Sequence, residues 1–515
     1  MRFVVYLTAL APLLALASDA ASGNQLQQVR LSMGSSESSD KRTLTLRVKK
    51  VQRKKKVTKH PAKSTSGRKA SPSTKRATLT KKPISTATSR STIPVSSKVS
   101  STSTKTGTKA PITISIAHPS STRVDIRTST APSKTTAATH TSTSAPLLSS
   151  GLLQLVKTDL ASVATDSWVI GTQLETLTEY DYPDLSVYGS TPFPVLGLGM
   201  VPNEISAIVQ KVLARSDGTG PLTFGDGATG DPASLGTGYI LASYYADDST
   251  PDLYAQPWTA ASKSQRVGDA ASLVSAVYNQ LQYLLVNVTR DSNGAISHRA
   301  DQTQLWSDNV YMSMPFIAYY GVATGNRTML QLAVTQCQAY FKSMTDSTGT
   351  MKHIVGGSWG DGGHWATGNA WTAAGMLRVL ATVRKSPWAA SMASQQASLV
   401  SMVQTVVSNS WKTALSNGAL PNYPDTKYNF ADAASTALMA SATYRLAAMG
   451  YASAANIDAA ERGRMFVQQN VGSDGWLAHV VDPLSWNDML TGSKHSPEAQ
   501  AFVLLMSAAY RDWRT

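Results

Sequence analysis

The 515-residue chain contains a single cysteine, Cys337, so no disulfide can form within it. A folded region must therefore be stabilised by a large apolar core, and a hydrophobic content of 42% is enough to build one. Cys337 itself lies in an apolar pattern with helical spacing, which favours a buried structural thiol over a reactive nucleophile.

Several common active-site motifs are also missing. The sequence has no HExxH, CxxC or clustered-histidine spacing of the kind that holds a metal. No GxGxxG motif lies between a predicted strand and a helix, and there is no Walker A lysine. We therefore expect neither a metal nor an organic cofactor.

Acidic residues are nearly absent from one long segment. Residues 41–134 contain 24 Lys and Arg but only one acid, Asp125, whereas residues 135–515 contain 21 Lys and Arg and 28 Asp and Glu. The net charge of +15 therefore belongs to the first part of the chain, and the remainder is mildly acidic. All 11 tryptophans lie at Trp168 or later, which places the folded region in the second part.

The N-terminus has the features of a secretory signal peptide, predicted to be residues 1–17. Arg2 precedes an apolar run, and small residues at 15–17 provide a cleavage site. The run is too short to favour the alternative of a membrane anchor, and no later stretch is long and apolar enough to span a membrane. We therefore expect a secreted, extracellular protein.

Residues 18–150 are dominated by Ser, Thr, Lys, Pro and Ala, a composition that cannot bury enough apolar surface to fold. We interpret them as a disordered stalk that is basic at first and then Ser/Thr-rich. The basic part is either a solvated spacer or an attachment to acidic wall polysaccharide. No nucleic-acid partner is expected.

A helical domain is predicted for residues 151–515, with few strand signals. Apolar residues recur at i, i+3 and i+4 in eleven segments. Two helices per unit would make six hairpins, which either close into a ring or form a solenoid or a bundle. The predicted helices are 152–163, 202–215, 235–245, 270–286, 307–320, 329–344, 370–383, 392–411, 433–449, 457–469 and 497–510.

The first candidate catalytic residue is Asp308, which lies between Trp306 and Tyr311 at the start of an apolar helix. It either caps that helix, because Asp accepts hydrogen bonds from a first turn, or acts as a general acid. Asp231 precedes a proline at the start of another helix, which is also a favourable cap position.

A second candidate segment is the glycine-rich loop at 358–371. Its indole rings offer flat faces for a sugar, and its polar side chains offer hydrogen bonds, while glycines allow a ligand to approach closely. The polar candidates are His353, just before the loop, and Asp361, His364 and Asn369; the main aromatic candidates are Trp365 and Trp371.

Residues 304–312, the loop through Trp371 and the final segment 496–506 together resemble the six-hairpin glycosidases. The resemblance is to glycoside hydrolase family 105, the unsaturated rhamnogalacturonyl hydrolases, and to the related family 88, the unsaturated glucuronyl hydrolases, in their secreted fungal form. It implies an (α/α)6 barrel. It also implies that an aspartic acid protonates the double bond of a 4,5-unsaturated uronic acid, and that hydration then releases the sugar.

The resemblance assigns roles to individual residues. The family's catalytic aspartate after Gln-x-Trp matches Asp308, and its active-site histidine after Asp-x-x-Gly matches His353. The Trp-x-Arg-Gly-Asn-Gly-Trp motif matches residues 365–371, so that Trp365, Asn369 and Trp371 are expected to contact substrate. Asp231 is the best-placed candidate for a second catalytic aspartate.

The chain departs from the family pattern at Thr367, where the family has an arginine that helps to hold the uronate carboxylate. Lys352 or Lys494 is a possible substitute. Two other interpretations remain: a mannanase-like six-hairpin glycosidase, with Asp308 and Asp361 as its carboxylate pair, and a wall-attached carbohydrate-binding protein without turnover.

Overall fold

The computed structural model describes residues 148–193, 202–216, 220–223, 227–245 and 270–515. These residues belong to one compact unit, Ala131–Thr515. The predicted signal peptide and nearly all of the predicted stalk lie outside the described residues. The described part of the chain is almost entirely helical.

Thirteen α-helices are present in the described ranges. Their bounds are α1 Ser150–Val163, α2 Ser167–Tyr180, α3 Asn203–Leu213, α4 Gly236–Tyr245, α5 Ala270–Gln282, α6 Asn309–Met312, α7 Met314–Ala323, α8 Arg327–Met344, α9 Ala366–Lys385, α10 Ala393–Lys412, α11 Ala433–Ala448, α12 Ala454–Gln469 and α13 Pro497–Arg514. Short 3₁₀ helices occur at Pro183–Leu185, Asp231–Leu235 and Ala389–Met392, and a π-helix at Tyr283–Asn287.

The helices form an inner and an outer ring. Helix α2 packs against α4, α4 against α7, α7 against α9, α9 against α11, α11 against α13, and α13 back against α2, which closes the inner ring. Helices α1, α3, α5, α8, α10 and α12 lie outside it and alternate with the inner helices along the chain. The six hairpins therefore close into an (α/α)6 barrel, as predicted.

The two rings differ in how they are buried. Eighteen consecutive residues of α9, from Ala366 to Val383, are buried, whereas only Val156 and Leu160 are buried in α1. An apolar stripe on one face is typical of a helix that covers a core, and burial all round is typical of a helix inside it. The outer helices therefore cover the barrel and leave one face to solvent.

Helix α2 was not predicted. Eleven of its residues are buried, and they include polar ones such as Glu175 and Glu179. The sequence therefore lacks the alternation of an apolar and a polar face by which a helix is predicted. The predicted helix at 307–320 is instead two helices, α6 and α7, which are separated at Ser313. Pro315 lies in the first turn of α7. A proline cannot donate the backbone hydrogen bond that a continuous helix requires.

The described strands are short and lie in loops. Strand β1 (Gln304–Trp306) pairs antiparallel with β2 (Ile354–Gly356), and β3 (Leu420–Pro421) pairs with β4 (Ala431–Asp432). The first pair joins the loop before α6 to the loop before α9. It therefore holds together the two segments that the sequence marks as functional.

Cys337 lies in α8 within the core, and burial raises the pKa of its thiol, which suits a structural role. No helix in the described ranges is long and apolar enough to cross a membrane. Within the same ranges, no group of three or more His, Cys, Asp or Glu side chains is arranged to hold a metal ion.

Candidate active site

An open cavity, with an empty volume of about 740 Å³ that includes the solvent at its mouth, lies where the N-terminal ends of four inner helices and of the short helix α6 meet. Trp168 is the second residue of α2, and Asp231 opens the 3₁₀ helix that leads into α4. Asp308 precedes α6, Trp365 precedes α9, and Glu498 is the second residue of α13. Free N–H groups at helix N-termini favour negative charge, so the cavity suits an anionic ligand.

Asp308 lies in this cavity and does not cap α6. Its backbone is helical, with φ −66° and ψ −27°, and its carboxylate accepts no hydrogen bond from the first turn. Its Oδ1 is buried and has no hydrogen-bond partner among the described residues. The carboxyl group is therefore available to a ligand, which is the arrangement that a general acid needs.

Asp231 also lines the cavity, beside a histidine that the sequence patterns did not reveal. Its Oδ1 is 3.7 Å from Nε2 of His298, and the His298 ring packs against Trp306 with centroids 5.1 Å apart. The next residue, Arg299, brings a guanidinium to the cavity wall, with its Nε 3.3 Å from Oδ1 of Asp301. Gly227, with φ +73°, leaves room for that guanidinium, because a Cβ there would overlap with it.

His353 presents one ring nitrogen to the cavity. Its Nδ1 is 2.9 Å from both Oδ2 of Asp361 and the hydroxyl of Tyr423, and Nε2 has no described partner. Asp361 does not line the cavity. Burial would raise the pKa of its carboxyl, but hydrogen bonds from His353 and Tyr423 outweigh burial and hold that pKa below its usual range. Asp361 thus orients His353 from behind.

The motif at 365–371 is divided between the cavity and its support. Trp365 and Trp371 line the cavity; the Trp365 indole donates to Asn422 Oδ1 at 3.0 Å. Asn369 is fully used by the protein: its Oδ1 accepts from Met351 N at 3.0 Å, and its Nδ2 donates to the carbonyl oxygens of Met351 and Trp365. Asn369 therefore fixes the segment that carries His353 against α9.

Thr367 is fully buried, and its hydroxyl donates to Oδ2 of Asp432 at 3.3 Å. Asp432 in turn caps α11, accepting from Ala434 N and Ser435 N. Burial raises the pKa of Asp432 despite these hydrogen bonds. The residue at 367 thus belongs to a capping network and is not among the residues that line the cavity; Lys352 and Lys494 are not among them either.

His364 lies between two carboxylates outside the cavity lining. Its Nε2 is 3.0 Å from Oδ2 of Asp346, and its Nδ1 is 2.8 Å from Oδ2 of Asp425. The ring thereby links the loop after α8 to the loop between β3 and β4. Its place in the structure is that of a loop clamp.

Glu498 is a third cavity carboxyl, and only 2% of it is exposed. The Trp168 indole donates to its Oε2 at 3.2 Å. Burial, aided by the nearby carboxyl groups of Asp308, Asp432 and Asp231, raises the pKa of Glu498 to about 8 against the lowering effect of the Trp168 hydrogen bond.

The mouth of the cavity is aromatic. The rings of Trp359 and Trp486 are parallel within 5°, with centroids 6.4 Å apart, and both meet Trp306 edge-on at 5.8 and 5.6 Å. Trp359 is 46% exposed and the neighbouring Leu484 is 70% exposed. Trp486 has a positive φ of 46°, and Asn422 Nδ2 donates to its carbonyl at 2.8 Å, which holds this loop in place.

The structure therefore brings five of the eight predicted site residues to one cavity. The predicted residues that line it are Asp231, Asp308, His353, Trp365 and Trp371, while Asp361, His364 and Asn369 lie behind it or beside it. Sequence reasoning missed Trp168, His298, Arg299, Trp486 and Glu498. The local signal for Glu498 was an acidic residue in the first turn of α13, which is also an ordinary position for an acid.

Comparison with known proteins agrees with this geometry. Residues 259–488 match the family model described as Glycosyl Hydrolase Family 88. No curated protein is significantly similar to the chain in sequence.

Solved structures with a similar fold include proteins from three bacteria. A possible member of glycoside hydrolase family 105 from Klebsiella pneumoniae has a TM-score of 0.54 at 14% identity, covering 71% of this chain and 94% of that one. One from Salmonella enterica serovar Paratyphi A has a TM-score of 0.53 at 14% identity, covering 70% and 92%. A family 105 glycoside hydrolase from C. acetobutylicum has a TM-score of 0.51 at 13% identity, covering 70% and 99%.

The family 88 match contains the loops that carry Asp308, His353 and Trp365, and the neighbours share the barrel that positions them. Together they identify the chain as a six-hairpin glycoside hydrolase similar to families 88 and 105.

Proposed function

We propose that this protein removes a 4,5-unsaturated uronic acid from the non-reducing end of an oligosaccharide derived from pectin or a similar polyuronate. The observation that carries the proposal is the Asp308 carboxyl group. It lies at an aromatic cavity, leaves its own helix uncapped and has an oxygen without a described partner.

The proposed chemistry begins with proton transfer from Asp308 to C4 of the sugar, which leaves positive charge shared between C5 and the ring oxygen. Water then adds at C5 and returns a proton to the enzyme, forming a hemiketal. The C5–O bond of the hemiketal opens to a ketone, and the hemiacetal left at C1 expels the next sugar as an alcohol. The net reaction consumes one water molecule.

Two further cavity residues support this sequence of steps. Asp231, next to His298, is the second acidic group, and we assign it to hold the attacking water. The Nε2 atom of His353 has no described partner and is held at the cavity by Asp361. It is placed to accept or donate one hydrogen bond to the sugar.

The uronate carboxylate is assigned to Arg299. A planar guanidinium binds a carboxylate through paired hydrogen bonds, and Arg299 brings one to the cavity wall. It supplies the positive charge that the sequence lacks at Thr367. The helix N-termini around the cavity add to this preference for an anion.

We assign the binding of the leaving sugar to the aromatic mouth of the cavity. Trp359 and Trp486 offer exposed or half-buried ring faces beside the cavity, and such faces suit the C–H side of a pyranose. The unsaturated residue then lies inside, and the rest of the oligosaccharide lies outside.

The test is consumption of an unsaturated galacturonyl disaccharide, followed as loss of absorbance from the conjugated double bond. Wild-type protein is expected to consume it, Asp308→Asn at least a thousandfold more slowly, and Asp458→Asn, which changes an exposed aspartate on α12, at the wild-type rate. Equal rates for wild type and Asp308→Asn would refute the assignment.

Two further measurements separate the alternatives. A mannanase-like enzyme would cleave a saturated oligosaccharide, which offers no double bond to protonate. A carbohydrate-binding protein would bind the disaccharide without releasing a sugar. Either result would replace the proposed reaction and leave the barrel and its cavity as described.

We also propose that the protein is secreted and that its basic segment attaches it to acidic wall polysaccharide. The support is the sequence alone: the signal-peptide pattern and the excess of Lys and Arg at 41–134. The full chain should bind immobilised polygalacturonate at low salt. Replacing the Lys and Arg at 49–56 with Gln should weaken that binding, and unchanged binding would contradict the role of the segment.

A further inference from the structure

The Glu498 carboxyl group lies at the cavity, and only one of its two oxygens has a hydrogen-bond partner among the described residues. Oε2 accepts a hydrogen bond from the Trp168 indole at 3.2 Å. Oε1 is buried and has no partner in the part of the chain that the structure describes. Only 2% of the residue is exposed, so bulk solvent does not satisfy that oxygen. A buried polar atom without a partner is costly unless a ligand supplies one.

No salt bridge in the described structure pairs Glu498 with a cation. Three basic side chains line the same cavity, and each has an acidic partner of its own: His298 faces Asp231, Arg299 faces Asp301 and His353 faces Asp361.

The acidic groups that face Glu498 are Asp308 before α6, Asp432 before α11 and Asp231 before α4. A buried carboxyl surrounded by other carboxylates and lacking a cation takes up a proton. The pKa of Glu498 is accordingly raised to about 8, chiefly by burial.

We propose that Glu498 binds the substrate as a neutral carboxylic acid, donating its O–H from the inner wall of the cavity to a hydroxyl group of the unsaturated sugar. This inference rests on the proposed function, because it assigns a ligand to the same cavity. Trp168 is its positioning residue: the indole N–H occupies one oxygen and leaves the other to carry the proton toward the ligand.

The neutral state also explains how the cavity accepts an anionic sugar. An ionised Glu498 would place a negative charge beside the other carboxyl groups of the cavity, and the uronate would bring another. A protonated Glu498 removes that repulsion and still offers a hydrogen bond. Above its pKa it loses the donor and gains the charge, so both changes weaken binding of the sugar.

The experiment compares Glu498→Gln with Glu498→Leu by the pH dependence of kcat/KM. Gln keeps a neutral donor of nearly the same shape, and Leu keeps only the volume. We expect wild-type kcat/KM to fall tenfold per pH unit above about pH 8. Glu498→Gln should keep at least a tenth of the wild-type kcat/KM and should not show the fall at alkaline pH. The kcat/KM of Glu498→Leu should be at least tenfold lower than that of Glu498→Gln. Asp458→Asn should keep the wild-type profile.

The proposal is overturned if Glu498→Gln falls with the wild-type midpoint, or if Glu498→Leu equals Glu498→Gln while circular dichroism shows both to be folded. A second readout is independent of turnover. The carbonyl band of a protonated carboxyl should appear in the infrared difference spectrum of wild type minus Glu498→Gln at pH 7, and it should be shifted in Trp168→Phe, which removes the hydrogen bond to Oε2. If this band is present but no uronide is consumed, the proposed function is wrong and Glu498 is still shown to be neutral. If the band is absent at pH 7, the inference about Glu498 is wrong.

Discussion

A buried cluster of charges joins four inner helices, and Glu179 lies at its centre. Arg445 Nη2 is 2.8 Å from Glu179 Oε2, and Arg378 contacts both Glu179 and Glu175. Arg445 also reaches Asp512 on α13 at 2.5 Å. Glu175, Glu179, Arg378 and Arg445 are at most 5% exposed at the side chain. Changing Glu179 to Gln would therefore take one of two carboxylates from each arginine, leaving Arg378 with Glu175 and Arg445 with Asp512.

The expected cost follows from burial. Removing one partner from a buried ion pair destabilises a protein by about 3–5 kcal/mol, and the loss of Glu179 reduces the compensation of two buried arginines from two carboxylates each to one. Unfolding entropy is about 2 cal/mol/K per residue, which for a barrel of this size gives a fall in Tm of about 4–7 °C. Denaturant unfolding should show the same loss as a lower midpoint with an unchanged slope.

A double-mutant cycle provides the control. Arg445→Met alone should also destabilise the barrel, and the double variant Glu179→Gln with Arg445→Met should be more stable than the two single losses added together. The pair should couple by at least 1 kcal/mol if the charges stabilise each other. Strictly additive losses, or a loss below about 1 kcal/mol for Glu179→Gln, would refute the reasoning.

Four further outcomes are expected. Arg299→Gln should raise KM for an unsaturated uronide at least tenfold at similar kcat, and Arg327→Gln, which changes an exposed arginine, is the control. An unchanged KM would show that Arg299 does not bind the uronate carboxylate. Trp486→Ala should raise KM for a disaccharide about three- to tenfold, whereas Trp476→Ala, which removes a ring that stacks on His495, should not. Tyr423→Phe should shift the pH profile of kcat, because the Tyr423 hydroxyl is one of the two groups that hold His353 Nδ1. An unshifted profile would show that this hydroxyl is not needed to hold His353. Glu498→Gln should gain stability over wild type as pH rises from 4.5 to about 8 and stay constant above that, because the folded state disfavours the ionised form; a flat difference would contradict the raised pKa.

The outer ring of helices was predictable because each outer helix carries a stripe of apolar residues on one side. The segment at 329–344, for example, corresponds to α8 within two residues of its start. Helix α2 was not predictable in this way. Its Glu179 side chain is buried, and what makes that burial tolerable is a pair of arginines located 199 and 266 residues further along the chain.

The candidate site divides along similar lines. Asp308 was identified from the tryptophan and tyrosine beside it in sequence, and those neighbours remain near it in space. Glu498 resembles an ordinary acid in the first turn of a helix, which requires no special explanation. Its burial depends on Trp168, 330 residues away, so no local pattern contains that information.

Charge partners, and not helix direction, explain why acids behave differently at the two ends of the inner ring. Glu498 lies at the N-terminal end of α13, where the dipole favours the ionised form by about 0.3–1 kcal/mol. Its pKa rises from 4.5 to about 8, which corresponds to about 5 kcal/mol in the opposite direction, so burial outweighs the dipole.

Glu179 lies near the C-terminal end of α2, where the dipole disfavours a negative charge, and burial there also raises the pKa of its carboxyl. Glu179 has Arg378 and Arg445 beside it, whereas the partner of Glu498 among the described residues is an indole N–H. On α13 alone, Glu498 and Asp512 are about 21 Å apart along the helix axis. The barrel thus keeps paired charges at the end that provides rigidity and an unpaired acid at the end that receives the ligand.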